Sequence, residues 1–189
     1  MADLCEPNNK SLREALDAPD GFPVPRHHEY IERVRTVHPH SVVFQEAIEE
    51  STCVLYALNL GRDEIYRAIA SNFDGRIFAG RAFMEWLING QLIELDNTKV
   101  GCLTLYFNQG VWRHVAVLVG RRRAVSQWGM FPVYEHDLCE VPARYGDELR
   151  YFSRPREGEP LRLFLKFAKT QGITDSEIAE VTASSRARR

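Results

Sequence analysis

Residues 100–129, VGCLTLYFNQGVWRHVAVLVGRRRAVSQWG, constrain the chain more than any other stretch, because three successive segments alternate with the period of two that only an extended strand produces. Cys102, Thr104 and Tyr106 alternate with Leu103, Leu105 and Phe107. Val115, Val117 and Val119 then alternate with His114, Ala116 and Leu118. Asn108-Gln109-Gly110 reads as a hairpin turn between the first two, and Gly120-Arg121-Arg122-Arg123 as a second turn with a basic tip. His114 therefore stands near the start of the middle strand, where a hydrogen-bonded ladder can hold a reactive side chain in place.

A histidine acts in nucleophilic chemistry only beside a partner, and Cys53 is the candidate. It lies in EESTCVLYALNL, where Ser51 or Thr52 can cap a helix and Val54, Leu55, Ala57 and Leu58 supply its apolar face. A thiol in a first helical turn feels the positive end of the macrodipole, which favours the thiolate. Next to an imidazole such a thiolate is a nucleophile for acyl transfer. The competing reading makes Cys53 a small buried hydrophobe, the usual role of a cysteine outside a disulfide.

The order of Cys53 at a helix start, GCLTLYF, HVAVLVG and AVSQWG resembles the NlpC-type peptidases of the papain-like superfamily over residues 48–152. HVAVLVG is the nearest piece, with Ala116 where the pattern has glycine. The resemblance implies an α+β, papain-like/NlpC-type fold, in which an antiparallel sheet of about five strands packs on the cysteine-bearing helix, with extra N- and C-terminal helices. It also implies that Cys53 attacks an amide carbonyl, that His114 takes and returns the proton, and that a third polar residue orients the imidazole. That third position falls on Gln127 or, alternatively, Ser126. Peptides, above all peptidoglycan-type peptides, are the implied substrates, and no cofactor or metal is required. Thr52-Cys53-Val54-Leu55 departs from the family's D-C-S-G, and Cys102 replaces the aspartate of its GD. A catalytically inactive interaction module on the same scaffold is therefore the alternative.

The chain's 189 residues, 44% hydrophobic and 26% charged, suffice for a proper core, and its net charge of −2 gives no general attraction to nucleic acid or acidic membranes. Cys5, Cys53, Cys102 and Cys139 show no metal-type spacing and read as reduced thiols of an intracellular protein. The start lacks a basic region followed by an apolar run, so a cytoplasmic location is expected, with export only by a signal-independent route. No apolar stretch approaches the roughly eighteen residues of a membrane span.

Three segments are expected: an N-terminal arm and helix at 1–47, the α+β core at 48–155 and a helical appendage at 156–189. The first 28 residues, with four prolines, read as a loosely packed arm carrying a short helix at Ser11–Leu16, followed by a helix at Glu29–Val37. His38 and His40 read as a solvated turn. Further helices are expected at Glu64–Ala70 and from Arg81 to about Leu87, with Phe83, Met84, Trp86 and Leu87 as core. Trp128, Phe131 and Tyr134 form an aromatic loop that either caps the core or walls a substrate cleft. His136 ranks below His114 as a base, and Glu148–Phe152 reads as a last strand. After Pro160, two helices around Gly172 resemble a helix-turn-helix, with Arg186, Arg188 and Arg189 beyond. Nucleic-acid contact there is the weakest expectation, and the oligomeric state is left open.

Overall fold

The computed structural model describes residues 3–5, 9–17, 24–48, 51–73, 77–128 and 132–187. The chain forms two units, one of residues 1–53 with 94–154 and the other of residues 54–93 with 155–189. This division differs from the three segments read in the sequence: residues 1–47 group with the sheet, and residues 54–93 group with the C-terminal helices.

The first unit is built on an antiparallel sheet. Its strands are β1 (Asp3–Leu4), β2 (Val43–Glu46), β3 (Leu103–Asn108), β4 (Val111–Leu118), β5 (Arg123–Gln127), β6 (Val133–Asp137) and β7 (Glu148–Phe152), in the spatial order β1-β7-β3-β4-β5-β6-β2. The α+β class is as expected, but the sheet has seven strands where about five were expected. The two additional strands are its edges, and both come from the first 47 residues. Runs of two and four residues carry no readable alternation; their pairing with β7 and β6 is what makes them strands. β6 is also a correction, since Val133 and Tyr134 had been assigned to the aromatic loop. Pro132 stands immediately before that strand, a place where its missing N–H removes no ladder bond.

The described N-terminal residues are not a loose arm. Helix α1 (Lys10–Ala15) and helix α2 (Val24–Val37) bring Leu12, Leu16, Ile31 and Val34 onto the sheet face formed by Tyr106, Ala116, Leu118, Ala124 and Tyr134. Leu16 and Ile31 are fully buried. Helix α2 starts five residues before the expected Glu29 because Pro25 falls in its first turn, where a missing N–H costs nothing. His40 is not in a solvated turn: its Nε2 donates to the Ile31 carbonyl at 3.2 Å and its Nδ1 accepts from the Val42 N–H at 3.2 Å.

The cysteines also differ from the expectation. Cys5 and Cys139 form a disulfide with a Cα–Cα distance of 5.4 Å, while Cys53 and Cys102 lie outside it. Four cysteines without a spacing pattern had read as reduced thiols; a bridge between residues 134 positions apart leaves no such pattern to read.

The second unit is helical. Helix α3 (Cys53–Ala57) starts at the last residue of the first unit and is followed by α4 (Glu64–Asn72), α5 (Arg81–Ile88), α6 (Glu159–Thr170) and α7 (Asp175–Ala187). Its core is aromatic: Phe164 meets Tyr66 at 4.7 Å and Phe83 at 5.6 Å, and Phe167 meets Phe83 at 5.3 Å and Trp86 at 5.8 Å. Phe83, Met84 and Leu87 are fully buried, as expected of core. Asp63 caps α4 by accepting the Tyr66 N–H at 2.9 Å. Gly172, at φ 90°, ends α6, and Thr174 and Glu177 cap α7 reciprocally. Helix α7 is one continuous 13-residue helix with acidic residues in its first turn. Arg188 and Arg189 lie outside the described residues. Among the described residues no helix is long and apolar enough to cross a membrane.

Because the disulfide closes most of the first unit into one loop, Cys139→Ser is expected to lower the unfolding free energy by about 2–5 kcal/mol. Urea denaturation of the variant and of the oxidised wild type measures this; equal midpoints would show that the bridge adds nothing.

Candidate functional site

The β3–β4 register places His114. Phe107 pairs with Trp112 but Tyr106 pairs with His114, so Arg113 is an extra residue on β4 and the ladder carries a bulge. From His114 onward alternation is regular, which sets His114, Ala116 and Leu118 on one face with Thr104 and Tyr106. Leu118 pairs with Ala124, Ala124 with His136, and Ser126 with Tyr134, so Ser126, His136 and Tyr134 share that face. Val117 pairs with Val125, which puts Gln127 on the opposite face. Gln127 therefore cannot orient the His114 imidazole; its amide donates to the Ile48 carbonyl at 2.8 Å.

Ser126 is on the correct face but is engaged elsewhere. The Trp128 indole N–H donates to Ser126 Oγ at 3.2 Å, and Ser126 Oγ bonds His136 Nε2 at 2.9 Å. His136 Nδ1 lies 2.9 Å from the Asp137 carbonyl, which can only accept, so Nδ1 carries the proton and Ser126 is the donor to Nε2. Burial lowers the His136 pKa to about 4, against the partly opposing bond to Asp137. On the same face His27 Nδ1 bonds the Tyr134 hydroxyl at 3.0 Å, and burial lowers its pKa to about 4.

His114 is 1% exposed, and its Nε2 makes no hydrogen bond among the described residues. Its ring lies flat on Tyr145, with centroids 3.9 Å apart and planes within 4°. Burial, then the charges of His136 and Arg144, hold its pKa well below the usual range. Tyr145 ends a 3-10 turn, Ala143–Tyr145, that follows Pro142. Gly146 closes the turn at φ 91°, where a Cβ would run into the Phe107 carbonyl.

Cys53 is half-buried and opens a helix of only five residues, which aligns few peptide dipoles. Its thiol lies within electrostatic reach of the Tyr145 hydroxyl, whose pKa is raised by burial first and by Cys53 second. Tyr145 thus stacks on His114 and lies within electrostatic reach of Cys53. Cys102 is buried, and burial raises its pKa, the reverse of what a nucleophile needs.

The proposed cleft wall is corrected as well. Trp128 and Tyr134 are fully buried, with rings 4.7 Å apart, and serve as core; Phe131 lies outside the described residues. Among the described residues no group of three or more His, Cys, Asp and Glu is arranged to hold a metal ion.

Sequence reasoning missed Tyr145 and the two N-terminal residues that fix its turn. Arg13 Nε donates to the Val141 carbonyl at 3.2 Å and Arg13 Nη2 to the Gly146 carbonyl. Asp17 pairs with the Arg144 guanidinium at 2.6 Å. Pro142 and Gly146 bracketing a tyrosine are the only sequence sign of this turn, and they do not reveal what the ring meets. No family model matches the chain, and no curated protein or solved structure matches it either.

The histidines make stability depend on pH. An unfolded histidine binds its proton near pH 6.5, whereas folded His27 and His136 do so only near pH 4 and His114 only well below 6.5. Between these limits the unfolded state holds more protons, so stability is complete above about pH 6.5 and is lost as pH falls toward 4. Each histidine contributes a slope of about 1.4 kcal/mol per pH unit in that window. Urea midpoints measured from pH 7.5 to 4.5 should fall steadily, and His114→Phe should remove about one proton's worth of slope; a flat wild-type profile would contradict the assignment.

Proposed function

We propose that the chain is a cysteine-dependent amide hydrolase on an NlpC-like, papain-like scaffold, with Cys53 as nucleophile and His114 as base, closed over its base in the conformation described. The observation that carries this reading is the buried His114 imidazole, stacked on Tyr145 and with no hydrogen bond at Nε2 among the described residues, while the half-buried Cys53 thiol lies within electrostatic reach of that tyrosine. Leaving a buried polar nitrogen without a hydrogen bond costs roughly 1–3 kcal/mol. A phenylalanine would fill the same space without that cost, and unmet polar groups and strongly shifted pKa values concentrate where chemistry is done.

In the proposed reaction Cys53 Sγ bonds the substrate carbonyl carbon while its proton passes to the His114 imidazole. That proton then leaves with the amine as the C–N bond breaks, giving a thioester on Cys53, and water hydrolyses the thioester to the acid. His114 is neutral before the reaction, the protonation state a base requires. Peptides, including peptidoglycan-type peptides, are the proposed substrate class, by resemblance.

The second reading is an inactive interaction module. It is favoured by the burial of His114 beneath Tyr145 and by the commitment of Ser126 to His136, which leaves the imidazole no orienting partner on β5. Turnover of muropeptide-like amide substrates separates the two. The hydrolase reading expects Cys53→Ala to lower turnover by roughly four orders of magnitude or more while leaving the melting temperature nearly unchanged. Residual activity at the wild-type level in Cys53→Ala, or no turnover by wild type with its disulfide either intact or reduced, establishes the module reading instead.

A further inference from the structure

We propose that the N-terminal segment is a redox-released strap that holds the Tyr145 turn over His114. Four ties connect the segment to the rest of the first unit. Strand β1 lies on the edge of β7, pairing Asp3 with Leu149 and Leu4 with Glu148. Cys5 is bonded covalently to Cys139, three residues before Pro142. Arg13 bridges the Val141 and Gly146 carbonyls, one on each side of the turn, and Asp17 binds Arg144 within it, by the ion pair and by accepting the Arg144 N–H at 3.3 Å. Two of these ties therefore grip the turn itself, while the disulfide anchors the strap beside it.

The turn's own hydrogen bonds are local, from Tyr145 N–H to the Pro142 carbonyl at 3.1 Å and from Gly146 N–H to the Ala143 carbonyl at 3.0 Å. They preserve its shape but do not hold it against His114. That hold comes from the Tyr145 stack, from Gly146 against the Phe107 backbone and from the strap. An aromatic pair contributes about 0.5–1.5 kcal/mol. Arg13 is 7% exposed and makes charge-assisted bonds to both carbonyls, which makes it the stronger clamp.

A pocket of about 390 Å³, lined by Cys5, Lys10, Arg13, Ala143, Gly146 and Asp147 among others, borders the Cys5 side of the otherwise buried bridge. The co-reactant is a dithiol reductant. One of its thiolates attacks a sulfur of Cys5–Cys139, the S–S bond breaks and the other cysteine leaves as a thiolate that takes a proton. The reductant's second thiol then resolves the mixed disulfide. Two cysteine thiols result, and the reductant becomes a cyclic disulfide, having supplied two electrons and two protons. With the anchor cut, the strap detaches, the turn loses Arg13 and Asp17, and His114 is uncovered.

The consequence for activity rests on the reading of Cys53 and His114 as nucleophile and base, but the uncovering of His114 does not. It is tested on the full chain by diethylpyrocarbonate labelling with mass spectrometry of each histidine. The samples are the oxidised protein, the protein reduced with dithiothreitol and desalted anaerobically, Cys5→Ser/Cys139→Ser, and Asp17→Asn, which weakens the clamp with the disulfide intact. His136, held by Ser126 and Asp137, is the internal control. Labelling of His114 is expected to rise roughly tenfold or more in the reduced protein and the double variant, and by a smaller factor in Asp17→Asn, with His136 unchanged. His114 remaining as protected as His136 in every sample overturns the strap, and so does a parallel rise at both, which marks general loosening. Iodoacetamide alkylation of Cys53 on the same samples isolates the other reading. If His114 is uncovered and amide turnover is absent in every sample, the strap stands and the hydrolase falls; if Cys53 alkylation and turnover rise with the uncovering, both stand.

Discussion

Between Tyr106 and Phe107 the ladder of the β3–β4 hairpin slips by one residue on the β4 side, and the chemistry available to the first unit depends on that slip. Continued from the Phe107–Trp112 pair without a bulge, the register would set Arg113 opposite Tyr106, on the face covered by α1 and α2. His114 would then point to the other side with Leu105. A guanidinium on that face would need several hydrogen bonds or an ion pair to offset its desolvation, whereas a neutral imidazole needs far less. The bulge leaves Arg113 exposed and turns His114 inward. A one-residue change of register reverses every side chain beyond it, so Ala116, Leu118 and the partners of β5 and β6 depend on the same irregularity.

The buried polar groups on that face divide into two kinds. The Trp128–Ser126–His136–Asp137 chain is closed: each donor meets an acceptor, the tautomer is fixed, and the network specifies how β5 and β6 pack. His114 is open. The stack with Tyr145 contributes about 0.5–1.5 kcal/mol, less than or comparable to the roughly 1–3 kcal/mol of an unmade hydrogen bond, so packing alone gives no reason to keep an imidazole there. The contrast separates His114 from the better-bonded His136; among the described residues Thr104 Oγ1, on the same face, likewise makes no hydrogen bond.

The central strands were legible because their alternation is strict: residues 103–107 and 114–118 are strands as read, and Glu148–Phe152 as well. The helical core of Phe83, Met84 and Leu87 was legible for the same reason, at the helical period. What could not be read arises from pairing across long sequence separations. Strands β1 and β2 are too short to show a period, and β6 was hidden among aromatic residues that serve as core. Gln127 was preferred over Ser126 by side-chain chemistry, but the choice of face depends on the register of β4 and β5, which chemistry does not encode. Cys53 and His114 could be read only as an order along the chain; Tyr145, stacked on His114, could not be seen without the turn that carries it.

The ties that hold the Tyr145 turn over His114 span long sequence separations. The β3–β4 and β4–β5 hairpins close through turns of a few residues, whereas Arg13 and Gly146 are 133 residues apart and Cys5 and Cys139 are 134 apart. Closure entropy grows with loop length, so these ties can form only on a sheet already assembled. They then act on one another: once β1 is on the sheet edge and the disulfide is closed, Arg13 and Asp17 reach the turn through a span of about ten residues rather than more than a hundred. The covalent bond thus lowers the entropic cost of the polar clamps instead of adding a separate contact. The covering of His114 is therefore cooperative with the N-terminal segment.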